Sequence, residues 1–583
     1  MSQETLHNKR HSLAHILLMA IKKHFPDALP TIGPVIEHGF YYDIDFSRGN
    51  KISAENFPAL EATMREIIGD NLAFTHKEVT ANTARDHFAN NKYKKEIIDD
   101  LEKEGKAITL YYTGKDFYDL CVGGHTETTG EIDPLSFKLD KLAGAYWRGD
   151  ERNAMLTRIY GLAFETQEEL EAHILQQEEA KKRDHRVLGK QLKLFTFSDL
   201  VGPGLPLWTP RGTIIRELLN DYVWSLRKKQ GFQKVTIPHV TKNDLYIKSG
   251  HWEKYAEDLF KINTRDGHTL CMKPMNCPHH AQIYASEMRS YKELPLRFSE
   301  TTMVYRDEQS GELSGLARVI SITQDDAHVF CRESQLEEEV GKVWDIISTF
   351  YSTFGFELTP RFSRRDPNNK DKYMGTDEGW DKAESAIKNI LEKRSKDTWV
   401  DGLGEAAFYG PKVDFMAKDS IGRIWQVATI QLDFVQPSNF GLEFVNEEGK
   451  REQPVMIHCA IMGSIERFMS TLIEHTAGNF PLWLSPNQIT VLPIADKHQG
   501  YAQEVVNKLN DADIRVELDD SKEGLGKKIR NTREMKTPYW AVIGDAEITN
   551  GTVTLEHRTE GKIGEMKVGE LIEKLVSEIK EKK

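Results

Sequence analysis

The chain has 583 residues, of which 39% are hydrophobic and 29% charged, and its formal net charge is −13. That length exceeds what one hydrophobic core supports and predicts three or four domains, while the acidic balance excludes a global attraction to nucleic acid and leaves local basic patches open. Five cysteines (Cys121, Cys271, Cys277, Cys331 and Cys459), irregularly spaced and with no CxxC pair, speak against a disulfide framework, a zinc ribbon or a thioredoxin-like site.

Residues 1–165 mix short helices and strands. "SLAHILLMAIKKHF" has helical spacing, and "PVIEHGFYYDIDF" predicts a strand with a turn after it. The apolar run "ILLMAI" is too short for a signal-peptide core or a membrane span, so a cytoplasmic setting with no membrane partner is expected. Residues 166–195 open on a capping-box-like Thr-x-x-Glu and predict one charged amphipathic helix bridging two domains. From 196 to 484 the strand-like segments "QKVTIPHV", "LRFSETTMVYRDE", "ARVISITQDDAHVFC", "KVDFMA", "IWQVATIQLDFV" and "PVMIHCAIM" favour an antiparallel sheet. Beyond "FPLWLSPNQ" the pattern alternates as α/β units with room for parallel strands, predicting a separate domain over 485–583.

Four places in the sequence carry ligand chemistry. "NCPHH" sets Cys277 beside His279 and His280, and Pro278 suits the first turn of a helix; one Cys and two adjacent His rarely reach one ion, since neighbouring side chains diverge. In "ITQDDAHVF", a regular strand places Gln324, Asp326 and His328 on one face. His458 sits inside the apolar "PVMIHCAIM", where a lone histidine is more often a core residue than a ligand. Near the N-terminus, His11 and His15 lie at i and i+4 of a helix, and Cys121 and His125 share that spacing in a Gly-rich turn; HxxxH with CxxxH suits zinc by ligand type alone.

Taken together, "GFQKVTIPHV", "RFSETTMVYRDEQSGELSGLARVISITQDDAHVF" and "VMIHCAIMGSIERF" resemble motifs 1, 2 and 3 of class II aminoacyl-tRNA synthetases. "NCPHH", "TQDDAHVF", "FYGPKVDF" and "IQLDF" are similar to the threonyl-tRNA synthetase family in particular, and the likeness runs from residue 11 to the C-terminus. The resemblance implies an α+β multidomain chain: an antiparallel class II core (196–484), an N-terminal α+β editing domain (1–165), a linker helix (166–195) and a C-terminal α/β anticodon-binding domain (485–583). It implies a homodimer through motif 1, and ATP-dependent ligation of L-threonine to tRNA(Thr), with ATP carried as its Mg2+ complex.

Residue by residue, it implies one Zn2+ per subunit on Cys277, His328 and His458, which makes His279 and His280 non-ligands and Cys459, where the family more often has arginine, a bystander. Arg306 and Arg467 take the places of the motif 2 and motif 3 arginines on the phosphates, the catalytic pair. Glu308, Arg318, Lys412, Gln426, Thr429 and Gln431 fall where the family contacts ATP or the adenylate, and Gln324, Asp326 and Tyr409 on the threonine side. Ile320 and Ile322 replace an arginine and an aromatic residue of motif 2.

A zinc that takes both amine and hydroxyl rejects valine, which has no hydroxyl, by about 10⁴-fold, whereas serine differs only by a methyl worth roughly 1–3 kcal/mol. Editing of Ser-tRNA(Thr) is therefore expected, and His11, His15, Lys94, Asp119, Cys121 and His125 match the editing positions, with no metal required in the threonyl branch. The ubiquitin-like domain that often precedes them in the family is expected to be absent, because His11 stands so near the start. In the C-terminal domain Glu547 and Arg558 match anticodon contacts, while Lys522 in "SKE" and Glu556 in "LEHR" depart from the family pattern. Two rivals are a related class II synthetase for another amino acid, opposed by the Cys277–His328–His458 set, and an inactive RNA-binding relative, opposed by intact Arg306, Asp326 and Arg467.

Overall fold

The computed structural model describes residues 3–583 apart from Asn50 and Asp397. It divides into two compact units, Met1–Glu178 and Glu179–Lys583. Among the described residues no helix is long and apolar enough to cross a membrane.

In the first unit the helix Gln3–His24 lays Leu13, Ile16, Leu17, Ala20 and Ile21 along one stripe, against the strand Gly39–Asp45 and the helix Phe57–Gly69. Each such fully buried aliphatic side chain stabilises by roughly 1.5–3 kcal/mol. A five-stranded antiparallel sheet, built around Gly39–Asp45, Met155–Ala163 and Phe137–Tyr146, lies beneath it. A three-stranded sheet of Phe74–Val79, Ile108–Thr113 and Phe117–Leu120 completes the unit. The turn expected after "PVIEHGFYYDIDF" lies inside it instead: Val35–Ile36 pairs back onto Gly39–Phe40. On its other side Gly39 packs tightly on the strand Met155–Ala163, where a Cβ would come within 1.9 Å of the Gly161 carbonyl oxygen.

The single helix expected over 166–195 is two, Gln167–Arg183 and His185–Gln191. Asp184 leaves helical geometry (ψ 120°) so that its carboxylate can accept the Arg186 N–H and cap the second helix.

The second unit is organised by an eight-stranded sheet in the order Gln233–Lys234, Leu296–Tyr305, Ser321–Cys331, Val455–Ser464, Ile424–Asp433, Lys412–Lys418, Glu357–Arg364, Val400–Leu403. Every inner pairing is antiparallel, and only the two edge pairings are parallel. Helices Pro210–Lys229, Leu336–Ser352, Asp377–Ser395 and Ile465–Thr476 bury their apolar residues against one face of the sheet. Within "QKVTIPHV" Gln233 and Lys234 pair at the edge of this sheet and Val240 begins a separate strand, Val240–Lys242, that pairs with Thr269–Met272; Pro238, which has no N–H, stands in the break between them.

Two of its ladders are irregular: Phe415 pairs with Ala428 but Met416 with Gln426, and a wider break falls between Ser321–Cys331 and Val455–Ser464. Gln324 pairs with Ser464 but Asp326 pairs with Ala460, so the strand Val455–Ser464 carries a bulge facing Asp325. Asp325 is fully buried, and its Oδ2 accepts the backbone N–H groups of Ile461 and Met462 at 2.9 and 2.8 Å, while Arg227 from the helix Pro210–Lys229 pairs with its Oδ1.

The C-terminal sheet runs Val516–Leu518, Ile489–Pro493, Tyr539–Ile543, Thr552–His557, Gly561–Lys567. Its first three strands are parallel, as the α/β pattern predicts, and the last two form an antiparallel hairpin. Helices Gln499–Asp511 and Val568–Glu581 cover it with Val505, Leu509, Leu571 and Leu575.

Candidate active site

Strand pairing sets His328 directly opposite His458, and the structure places Nε2 of the first 3.1 Å from Nδ1 of the second. Cys277 opens the helix Cys277–Ala285, where Pro278 occupies the first turn and the missing N–H goes unneeded. Its Sγ completes a group whose three donor atoms lie within 4.8 Å of one another, all on buried residues. The other ring nitrogens are held from behind: His458 Nε2 donates to Asp433 Oδ2 at 2.8 Å, and His328 Nδ1 lies 2.8 Å from His280 Nδ1. Burial drives the His328 imidazole well below its ordinary pKa and the Cys277 thiol well above. One sulfur and two imidazole nitrogens, each imidazole backed by a hydrogen bond that fixes its tautomer, form a donor set that suits zinc over magnesium or calcium.

Around this group stand Asp326, whose Oδ2 accepts from Asn276 Nδ2 at 3.0 Å and whose carboxyl pKa burial raises, and Tyr409, which stacks on His458 with ring centroids 4.8 Å apart. Gln431, placed by sequence with the nucleotide, is found here, its Oε1 accepting from the Tyr409 hydroxyl and its backbone paired with His458. His251 also reaches the group, with Nε2 3.8 Å from Cys277 Sγ.

A cavity of about 430 Å³ lies beside the bulge, lined by Arg306, Glu308, Arg318, Gln324, Gln426, Thr429 and Arg467, among others. Arg318 pairs with Glu308 and Glu312 at 2.6 and 2.9 Å; Arg306 Nε is buried without a partner, and Arg467 keeps an exposed side chain whose guanidinium pKa is lowered by desolvation among the groups packed around it. Gln324 Oε1 and Thr429 Oγ1 are likewise buried and unpartnered. The cavity thus offers two arginine forks and several unspent polar atoms, the equipment for an anion carrying a polar body. Lys412 is not among its lining residues; its Nζ pairs with the buried Asp414, which also binds Gln426.

In the first unit His11, His15, Cys121 and His125 converge, with Cys121 Sγ 3.4 Å from His11 Nε2 and 3.3 Å from His125 Nε2. Gly123 and Gly124, at φ 112° and 85°, fold the chain back so that His125 returns to Cys121, a path side-chain-bearing residues rarely take. Burial raises the Cys121 thiol to about 11 and lowers His125 to about 2. Lys94 and Asp119, both almost fully buried, pair at 2.6 Å, and Tyr42 donates to the same carboxylate. All but His125 line a cleft of about 550 Å³.

Of the C-terminal pair, Glu547 accepts from Gly544 N and Thr554 Oγ1. Arg558 gives its guanidinium to the carbonyls of Lys536, Asn479 and Phe480 at 2.9, 3.2 and 2.6 Å, which ties the C-terminal sheet to the segment that follows the helix Ile465–Thr476. Glu556 accepts from the Trp540 indole, which accounts for a carboxylate at that position. The sequence set His280 aside as a non-ligand and assigned no role to Asn276, Asp433 or Tyr42, although Asn276 and His280 both stand in "NCPHH" and Asp433 in "IQLDF".

The family comparisons agree with this geometry. The tRNA synthetase class II core domain (G, H, P, S and T) matches residues 260–476, the anticodon binding domain residues 488–578, and the threonyl and alanyl tRNA synthetase second additional domain residues 108–160. Antiparallel core, paired arginines and these matches define a class II aminoacyl-tRNA synthetase. The threonine–tRNA ligase of Gloeobacter violaceus is 48% identical over 96% of this chain and 90% of its own, and that of Thermosynechococcus vestitus 46% identical over 98% and 95%. The chain belongs to the threonine–tRNA ligase family and is an enzyme of that family. Membership implies tRNA, threonine and ATP as substrates. Among solved structures, the RNA binding domain of threonyl-tRNA synthetase from Cryptosporidium parvum is 37% identical, with a TM-score of 0.65 over 68% of this chain and 98% of that one. A putative threonyl-tRNA synthetase from Aeropyrum pernix is 26% identical, with a TM-score of 0.61 over 68% and 97%.

Proposed function

We propose that the chain joins L-threonine to ATP as threonyl-adenylate, transfers the threonyl group to tRNA(Thr), and hydrolyses Ser-tRNA(Thr) in its N-terminal cleft. The observation that carries this reading is the convergence of Cys277, His328 and His458 beside Asp326 and Tyr409, with the strands that hold His328 and His458 also leading into the arginine-lined cavity. Zinc on those three residues would take the amine and hydroxyl of threonine together, a pairing valine lacks. Asp326 receives the ammonium charge, and Tyr409 and Gln431 close the pocket around the side chain.

ATP, as its Mg2+ complex, occupies the cavity of Arg306, Glu308, Arg318, Gln426, Thr429 and Arg467. The threonine carboxylate attacks the α-phosphorus and pyrophosphate leaves; Arg306 and Arg467 hold both anions in line and stabilise charge developing on phosphorus. Lys412 reaches this site by pairing with Asp414, which also holds Gln426 of the cavity lining. In the N-terminal cleft, Lys94, Asp119 and the His11–His15–Cys121–His125 group position the water that cleaves the seryl ester, without a metal. Glu547 sits on the anticodon-reading face, and Arg558 secures that face to the segment that follows the helix Ile465–Thr476. The four-part division 1–165, 166–195, 196–484 and 485–583, a homodimer through the motif 1 segment and a cytoplasmic setting complete the reading; five free cysteines support the last.

Threonine-dependent ATP–pyrophosphate exchange, measured with and without a zinc chelator, is the test. Exchange that is lost on chelation and restored by zinc supports the reading, and absence of exchange with threonine sinks it.

A further inference from the structure

His185 begins the second linker helix and is 5% exposed, yet it belongs to neither the Cys277 nor the Cys121 ligand group. Its imidazole bridges two segments that reach the nucleotide cavity. Nδ1 lies 2.6 Å from Glu474 Oε1, and that same oxygen accepts the His185 backbone N–H at 3.1 Å. Glu474 stands seven residues beyond Arg467 on the helix Ile465–Thr476, two turns along the same face. Nε2 receives the backbone N–H of Leu316 at 3.0 Å. With Glu474 as acceptor, Nδ1 carries the proton and Nε2 is free to accept, so one neutral tautomer satisfies both bonds.

Leu316 is fully buried at the tip of a tight turn closed by Ser314 and Arg318, whose backbones exchange hydrogen bonds at 3.1 and 3.3 Å. Gly315, at φ 51°, lets the turn approach the ring, and a Cβ there would stand 2.3 Å from His185 Nε2. Burial works to raise the Glu474 carboxyl, but the His185 hydrogen bonds and the Arg423 ion pair at 2.6 Å outweigh it and hold the group below its usual value. The anion that anchors the imidazole is therefore present at neutral pH.

We infer that His185 is a positioning residue for the nucleotide cavity: it clamps the 314–318 turn to the helix Ile465–Thr476, and so fixes the spacing of Arg318 and Arg467. This rests on the proposal that ATP occupies that cavity. A role through geometry alone predicts a selective effect on ATP, because neither tie reaches Cys277, Asp326 or Tyr409.

The test is ATP–pyrophosphate exchange by the full chain carrying His185→Ala, His185→Gln or Gly315→Ala, with melting temperature as a second readout. The expected result is a KM for ATP raised five- to fifty-fold in H185A and G315A, with the KM for threonine within twofold of wild type. H185Q, which keeps an acceptor near the position of Nε2, should show a smaller shift. Gly315→Ala keeps the test open should H185A fail to fold, since it displaces the turn and leaves the imidazole in place. A KM for ATP within twofold of wild type in G315A, or equal rises for ATP and threonine, overturns the inference. Wild-type protein without exchange would instead overturn the reading of the cavity itself.

Discussion

Nδ1 of His280 lies 2.8 Å from Nδ1 of His328, with the two rings at right angles. Were His328 to hold the proposed zinc with Cys277 and His458, His280 would accept the remaining ring proton of His328 and so fix ring and tautomer together. Replacing His280 by alanine should weaken zinc binding about 10- to 100-fold, the usual penalty for losing such a partner. Competition titration against a chromophoric chelator reads this directly, and an unchanged zinc affinity would remove the role.

The buried pair of Arg227 and Asp325 gives a stability prediction. Asp325→Ala leaves one guanidinium uncompensated and two backbone N–H groups unpaired, a loss of about 3–5 kcal/mol. Denaturant unfolding should show it, and Arg227→Met in the same background should recover part of the loss. Additive losses in that double-mutant cycle would mean that the two side chains do not depend on each other.

Cys121→Ala removes the sulfur that touches both His11 and His125. Seryl-tRNA should then accumulate in charging reactions with serine, while threonine-dependent exchange stays at the wild-type rate. Ser-tRNA hydrolysis at the wild-type rate would exclude the cleft as the editing site.

Burial holds His15 well below its ordinary value of 6.5 and His125 down at about 2. Both stay neutral in the folded state while the unfolded chain takes up protons, so their contribution to stability falls as pH drops below 6.5 toward the folded values. The melting temperature of the first unit should therefore decline between about pH 7 and pH 5, and the decline should be shallower in His15→Gln. Parallel pH profiles for the two proteins would contradict this.

What the sequence could and could not disclose depends on physical range. Period-two alternation placed Gln324, Asp326 and His328 on one face, and the α/β alternation beyond "FPLWLSPNQ" is present as parallel strands. Cys277, His328 and His458 meet only because strands 130 residues apart pair in one register, which no local pattern specifies; the resemblance to a family supplied it. The same limit hid Asp433 and His280, whose roles exist only once that register is set. Two other expectations gave way to contacts: Asp184 breaks a predicted helix by a local cap on the next, and Arg558, expected at the anticodon, spends its charge on three carbonyls. Gln431 and Lys412 share a strand pair with the nucleotide-side residues, but their side chains are committed to Tyr409 and Asp414.

The bulge opposite Asp325 also bears on which insertions and deletions this chain can accept. It adds two residues between His458 and Arg467 relative to a regular ladder, so side chains keep their faces across it. Deleting one residue there would turn Ser464 away from the cavity. Deleting two would restore unbroken pairing and yield a more regular sheet, yet draw Arg467 back by about 6–7 Å at the usual strand rise. The stretch from 459 to 466 is thus a place where length is under tighter constraint than residue identity, and where a better-paired sheet would make a worse enzyme.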